Sequence, residues 1–313
     1  MRTTWLSRRA SEVEESVTLA MTAKANAMKE KGIDVISFSA GEPDFDTPEH
    51  IKKAASDALA KGYTKYTAAT GLPALKKAVA AKFQKDNGLS FEPSQVVVSC
   101  GAKHSLYNVM QAVLQEGDEA IIPAPYWVSY PAMVKCAAAT PVIVNTEEKD
   151  GLKMRADQLA KAITPKTKVL ILCSPSNPTG MVYSKAELEA LADVVLKHDL
   201  LVISDEIYEK LVFGVPFASI AAARPGLKER TIVVNGASKA YAMTGWRIGY
   251  AAGPKEIMDA AGRMQSQSTS NATSIAQYAA LAALEGDQSN DRHSRFRTSP
   301  LPSFQCGRHD RCR

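Results

Sequence analysis

The sequence has little cysteine, and its five residues, Cys100, Cys136, Cys173, Cys306 and Cys312, are scattered without paired spacing. That pattern excludes a disulfide-stapled scaffold and offers no metal-binding cluster. Cys100 and Cys173 lie in or beside apolar runs and read as buried thiols. The chain also lacks any run of eighteen apolar residues, so no helix is expected to span a membrane. Met1 to Arg9 lacks the apolar stretch of a signal peptide, and the expected location is cytoplasmic. Charge of one sign is lacking too. Of the formal +5, Gly286 to Arg313 supply +3, while the first 285 residues carry 32 basic and 30 acidic side chains. A body so near neutrality gives no case for nucleic-acid binding.

The last 28 residues lack what the rest has. The first 285 hold 24 Lys and eight Arg; the tail holds six Arg and no Lys, and Leu301 is its one aliphatic residue larger than alanine. It has no helical or strand period. A basic binding tail is one reading. The abrupt switch in basic residues favours the other, a disordered or out-of-frame segment at 286–313.

What the chain does have is alternation. Ser11 to Lys31 reads as a helix ended by Gly32, and Asp34 to Phe38 as a short strand. Ala40 to Asp46 reads as a loop, and Thr47-Pro48-Glu49 opens a helix with Thr47 as its cap. Leu72 to Phe83 is an amphipathic helix. Short apolar strands follow at Gln95–Ser99, Ala120–Ile122, Val142–Val144, Val169–Cys173, Leu200–Ser204 and Thr231–Val234. Helices fall at Ala102–Leu114, Pro125–Cys136 and Ser184–Lys197, with another ending near Glu285. Continuous apolar strands between helices imply an α/β fold with a largely parallel sheet covered on both faces. Ligands in such sheets bind beyond the carboxyl ends of the strands.

The unusual residues fall at those ends. Ser99-Cys100-Gly101-Ala102-Lys103 is a small-residue turn opening a helix; it suits a phosphate, but taken alone it reads first as a plain strand–helix turn. Ser174 to Gly180 is a tight turn that presents Asn177. Asp205, ending the next strand, is a carboxylate at the bottom of a cleft or an N-cap. Lys239, just past a strand and amid small residues, is placed to be desolvated into a nucleophilic amine.

The segment Ser238-Lys239-Ala240-Tyr241-Ala242-Met243-Thr244-Gly245-Trp246-Arg247 resembles the cofactor-attachment region of class I aminotransferases, which use pyridoxal phosphate (PLP). The resemblance runs from about Leu6 to Glu285. It takes in Ala40-Gly41-Glu42-Pro43-Asp44-Phe45, the stretch from Tyr63 to Gly71, Pro125-Tyr126-Trp127-Val128-Ser129-Tyr130, and the Asn177 and Asp205 motifs. Within the class the chain looks like the bacterial aspartate aminotransferases, in the subgroup that includes prephenate-using members. The resemblance implies the fold-type I PLP-dependent transferase fold: an arm and part of a small domain at 1–46, a large PLP-binding domain at 47–285 with a mostly parallel mixed sheet, and a small domain left incomplete.

It also implies roles. Lys239 would hold PLP as an aldimine and shuttle a proton between substrate and cofactor. Asp205 would pair with the protonated pyridine nitrogen. Asn177 and Tyr208 would bond the phenolic oxygen, and Trp127 would stack on the ring. Gly101, Ala102 and Lys103, with Ser238 and Arg247, would take the phosphate, and Tyr66 would reach the phosphate of a partner subunit in a homodimer with shared sites. Gly41 would meet the substrate carboxylate, aided by Trp127 and Asn177, and Lys103 and Thr18 would recognise an acidic side chain. The implied reaction moves the amino group of L-aspartate to 2-oxoglutarate. A prephenate or aromatic aminotransferase, a carbon–sulfur lyase and a non-catalytic PLP-binding remnant are the alternatives. Glu14 stands where prephenate-using relatives carry a lysine. Nothing after Glu285 resembles the family's small-domain continuation or its carboxylate-clamping arginine, so a truncated chain with impaired turnover is expected.

Overall fold

The computed structural model describes residues 5–37 and 41–286. Ala40, Phe38, Cys306, Cys312 and the tail beyond Gly286 lie outside the described residues, and so do the expectations that rest on them.

Ten α-helices and seven strands are found among the described residues. The helices are α1 (Arg8–Glu12), α2 (Val17–Glu30), α3 (Glu49–Ala60), α4 (Pro73–Asn87), α5 (Ala102–Val113), α6 (Ser129–Cys136), α7 (Ala156–Ala162), α8 (Lys185–Lys197), α9 (Lys255–Ser266) and α10 (Ser274–Glu285). The strands are β1 (Val96–Ser99), β2 (Glu119–Ala124), β3 (Thr140–Asn145), β4 (Thr167–Cys173), β5 (Leu201–Asp205), β6 (Thr231–Gly236) and β7 (Gly249–Ala252). They form one sheet in the order β1-β7-β6-β5-β4-β2-β3. The β2–β3, β2–β4, β4–β5 and β5–β6 pairs are parallel, and β7 runs antiparallel to both β1 and β6. The α/β class and the mostly parallel mixed sheet expected from the sequence are both present.

Side chains alternate across the sheet. Val96 and Val98 pack with α3, α4 and α10, whereas Val97 packs with α5, α6 and α9. Leu170 and Leu172 continue the first face under α8, and Ile171 continues the second. Helices on both faces explain why the central strands are apolar without interruption.

Several expected elements change. The helix expected over Ser11–Lys31 is two helices, because Val13 is extended and Ser16 restarts the chain as an N-cap; Gly32, at φ 76°, does end the second. Residues 34–37 form no strand. Thr47 does not cap α3. Pro48 is the N-cap, while the Thr47 hydroxyl donates to the Ala242 carbonyl (2.5 Å) and accepts from Trp246 Nε1 (3.0 Å). The helix expected from Pro125 starts only at Ser129. Strand β7 was not foreseen, nor were α7 and α9. Cys100 and Cys173 are both half-buried rather than buried, and desolvation pushes the Cys173 thiol up to about 12.

Beneath the first face lies a buried polar cluster. The Glu206 carboxylate accepts from Ser204 Oγ (2.8 Å), Ser219 Oγ (2.6 Å) and Asn87 Nδ2 (3.4 Å), beside the buried Lys82–Glu209 ion pair. Burial, partly offset by the Ser219 hydroxyl, pushes Glu206 from 4.5 up to about 8. The folded state therefore keeps a proton that the unfolded chain releases, and stability falls as pH rises from 4.5 to about 8. The slope from one such group is about 1.4 kcal/mol per pH unit. Glu206→Gln is expected to flatten that decline, which urea unfolding across this pH range measures.

Candidate active site

Strands β2, β4, β5 and β6 are mutually parallel, so their carboxyl ends share one edge of the sheet. Strand β1 also ends there, and antiparallel β7 begins there, because Ser99 and Gly236 are both paired with Gly249. The reversal of β7 brings Arg247, two residues before it, to the turn that follows β1.

That turn is built for close approach. Gly101 sits at φ 90° and is the N-cap of α5, with no side chain capping the first turn. A Cβ on Gly101 would lie 2.4 Å from Arg247 Nη2, and one on Gly249 would lie 2.0 Å from the Ala102 nitrogen. The Arg247 guanidinium donates to the carbonyls of Thr244 (2.9 Å) and Cys100 (3.5 Å). Helix N–H groups and a guanidinium therefore converge on one spot, which suits an anion. Gly249→Ala is expected to cost about 1–3 kcal/mol through overpacking, measured by urea unfolding, and to loosen anion binding at the turn.

Lys103, the second residue of α5, lies with its Nζ 4.8 Å from the Trp127 ring centre. Burial, with the nearby positive charge of Arg247, lowers its pKa. Trp127 meets Tyr130 edge to face at 5.3 Å. The fully buried Tyr130 hydroxyl donates to Asp205 Oδ2 at 2.7 Å. Asp205 Oδ1 accepts from the Ile207 N–H (3.3 Å), so both donors to this buried carboxylate are neutral. Burial raises the Asp205 pKa against the pull of those two hydrogen bonds. Asp205 thus caps the following turn and also faces the site, and the two readings of it were not exclusive.

Asn177 Nδ2 donates to the Tyr208 hydroxyl (3.3 Å), whose pKa burial pushes up to about 12. Lys239 Nζ donates to the carbonyl of Gly41 and lies 5.9 Å from the Tyr208 ring centre. Desolvation lowers the Lys239 pKa; the negative charge of Glu42 opposes that, and Arg247 adds to it. Glu42 is held in place by the Thr244 hydroxyl, which donates to Oε1 at 2.8 Å.

The structure thus brings Gly101, Ala102, Lys103, Trp127, Asn177, Asp205, Tyr208, Lys239, Arg247 and Gly41 to one edge. Ser238 is buried beside Lys239, and its carbonyl accepts from the Met243 N–H. Two expected residues stand apart. Tyr66 is 89% exposed. Thr18 lines a different hollow of about 490 Å³, with Val17, Met21, Met28, Val35 and Ile36. Two residues were given no role from the sequence: Tyr130, three positions after Trp127, and Glu42, next to Gly41. Both sat in motifs quoted for the resemblance, which was the only signal of them.

A family model described as aminotransferase class I and II matches residues 33–299. The chain is 55% identical over 284 residues to the aspartate aminotransferase of Geobacillus stearothermophilus, covering 90% of this chain and 72% of that protein. It is 54% identical over 286 residues to the aspartate/prephenate aminotransferase of Cereibacter sphaeroides, covering 91% and 72%. Among solved structures it superposes on the Thermus thermophilus aspartate aminotransferase with maleate at a TM-score of 0.88 and 48% identity, covering 95% of this chain and 75% of that one. The Rhizobium meliloti aspartate aminotransferase gives 0.89 and 48%, covering 94% and 74%.

Proposed function

The chain belongs to the class I and II aminotransferases, and we propose that it transfers the amino group of L-aspartate to 2-oxoglutarate with Lys239 as its catalytic amine. The observation that carries the reading is the placement of the Lys239 amine, its pKa lowered by desolvation, at the same sheet edge as the buried Asp205 and the Gly101–Arg247 turn. Pyridoxal phosphate is the cofactor of these enzymes, and the residues present fit it. The turn, where Gly101 holds a φ of 90° that favours glycine and a Cβ on Gly249 would run into the Ala102 backbone, suits a phosphate. Asp205, buried with only neutral donors, suits a cationic ring nitrogen.

In this reading the open turn at Gly101 receives the phosphate, Ala102 and Lys103 offer it their backbone N–H groups, and Ser238 and Arg247 offer their side chains; the Gly101 N–H itself is given to the Ser99 carbonyl (2.7 Å). Asp205 holds the ring nitrogen, Tyr130 fixes the rotamer of Asp205, and Trp127 covers the ring face. Asn177 and Tyr208, already bonded to each other, hold the phenolic oxygen. When bound, the cofactor supplies an electron sink for the bond broken at the substrate Cα. Lys239 Nζ takes the proton from that Cα and returns it on the cofactor side. The Gly41 carbonyl that receives Lys239 keeps the amine at the mouth of the site, where the substrate carboxylate enters. Lys103, beside Trp127, meets the distal carboxylate of an acidic substrate; Thr18, which lines a separate hollow, is given no part in it. Tyr66 serves the phosphate of a second copy, so the working unit is a homodimer, located in the cytoplasm.

Purified protein with PLP, titrated with aspartate, is expected to pass to the pyridoxamine form and to be restored by 2-oxoglutarate, followed by absorbance. A cofactor band that forms but never converts would leave only a PLP-binding protein. Prephenate in place of 2-oxoglutarate tests the substrate named for the Cereibacter relative. Exposed Glu14 between α1 and α2 offers no cation there, and weaker turnover with prephenate is expected.

A further inference from the structure

Residues 63–72 form no helix or strand, yet the segment is held along its length by two glutamines that are wholly buried. Gln265 of α9 donates to the carbonyls of Ala69 (2.5 Å) and Val98 (2.7 Å) and accepts from Asn108 Nδ2 (3.1 Å). Gln277 of α10 accepts from the Leu72 N–H (2.7 Å) and donates to Thr67 Oγ1 (3.0 Å) and the Ala272 carbonyl (2.8 Å). A buried amide is costly unless its donors and its acceptor are matched. Here all are matched, and three of the six partners lie on this one segment.

Other contacts fix the same stretch. Ser274 Oγ donates to the Tyr63 carbonyl (2.9 Å), and Tyr278 stacks on the Tyr63 ring at 4.7 Å. The Val98 N–H donates to the Thr70 carbonyl (3.0 Å). Gly71, at φ 103°, passes so close that a Cβ would lie 2.7 Å from Val98 Cβ and 3.2 Å from Gln277 Oε1. Fixing irregular backbone costs about 1–2 kcal/mol per residue, so a segment held this densely is held for its shape. At its centre the Tyr66 side chain is left 89% exposed.

We infer that Gln265 and Gln277 are positioning residues, which hold the 63–72 segment in the one shape that presents Tyr66 to the cofactor phosphate of a second copy. The inference rests on the reading of Tyr66 given above. It adds a link between two sites. Through the Val98 carbonyl, Gln265 ties this arm to β1, the strand that runs into the chain's own Gly101 turn.

The test is a set of PLP dissociation constants for wild type, Tyr66→Phe, Gln277→Met and the double variant. Tyr66→Phe is expected to weaken PLP about tenfold, as for loss of one hydrogen bond to a charged group. Gln277→Met is expected to weaken it by a similar factor, and the double variant to be no weaker than Tyr66→Phe alone. A double variant weakened by the product of the two single effects overturns the inference. If Tyr66→Phe binds PLP like wild type, the reading of Tyr66 itself fails. Hybrid dimers separate positioning from a general folding defect. One subunit carries Lys239→Ala and the other carries Gln277→Met, so the one remaining lysine faces Tyr66 from the subunit with an intact clasp. Borohydride reduction at graded PLP, with mass analysis of the Lys239 peptide, is expected to show wild-type dependence on PLP. A tenfold weaker dependence in the hybrid would mean that Gln277 acts only within its own subunit, and would overturn the inference.

Discussion

Lys239→Ala is expected to lower kcat for amino transfer from aspartate by about 10⁴-fold, the upper end of what a positioned acid–base group supplies. Two jobs are lost together. The variant has no amine to hold the cofactor covalently, and none to carry the proton from the substrate Cα. The lysine suits both because burial lowers its pKa, so more of it is the free amine at neutral pH than of a solvated lysine. The charge of Glu42 works against that lowering. Glu42→Gln should therefore shift the rising limb of the kcat/KM profile to lower pH. Stopped-flow absorbance with aspartate reads the chemical step, and borohydride reduction reads the covalent attachment. A Lys239→Ala protein that turns over aspartate within tenfold of wild type would remove Lys239 from the reaction. The variant should still fold, because Lys239 is half-buried and its bond in the structure is to the exposed Gly41 carbonyl.

How much of this was legible beforehand depended on how the sequence marks each element. The parallel strands announced themselves as β-branched runs, and the sheet edge they share made the positions of Asn177, Asp205 and Lys239 readable. Strand β7 did not, since Gly-Tyr-Ala-Ala is short and rich in small residues with weak strand preference. Yet that strand carries Arg247 back to the Gly101 turn, so its place could be had only by resemblance. The break between α1 and α2 falls at Glu14-Glu15-Ser16, with neither proline nor glycine to signal it. Helix α2 buries no residue, so no packed face enforced a period that could be read. Tyr130 was missed for another reason. The segment Pro125–Cys136 read as one helix, whereas residues 125–128 form a turn that sets Trp127 against Tyr130 and Tyr130 against Asp205. The glutamine clasp was invisible because its partners on the 63–72 segment lie some 200 residues away along the chain.

Asp205→Asn is expected to have effects of opposite sign on the cofactor-free and the working protein. Without cofactor, Asp205 is a buried carboxylate whose donors, the Tyr130 hydroxyl and the Ile207 N–H, are both neutral. Its pKa is raised by burial, so the folded state holds its proton to higher pH than the unfolded chain does. The stability tied to that proton is complete below the unfolded value near 3.8 and is lost as pH climbs through the raised one. Asparagine keeps the Ile207 N–H on its one oxygen, can donate its Nδ2 to the Tyr130 hydroxyl turned acceptor, and carries no charge to desolvate. The cofactor-free variant should therefore melt at or above the wild-type temperature at pH 7, and the gap should close toward pH 4. With cofactor the balance reverses. A charge matched to a protonated ring nitrogen in a water-poor site contributes far more than the same pair in water, and loss of one such preorganised group lowers kcat by about 10²–10³-fold. Tyr130→Phe separates the charge from its support. It leaves the carboxylate in place but frees its rotamer, so it should weaken kcat by about tenfold, in line with one lost hydrogen bond. Melting curves at pH 4 and 7 with and without PLP, set beside kcat, read all of these effects. An Asp205→Asn protein that melts lower without cofactor, and keeps its kcat with it, would make Asp205 a structural cap of its turn and nothing more.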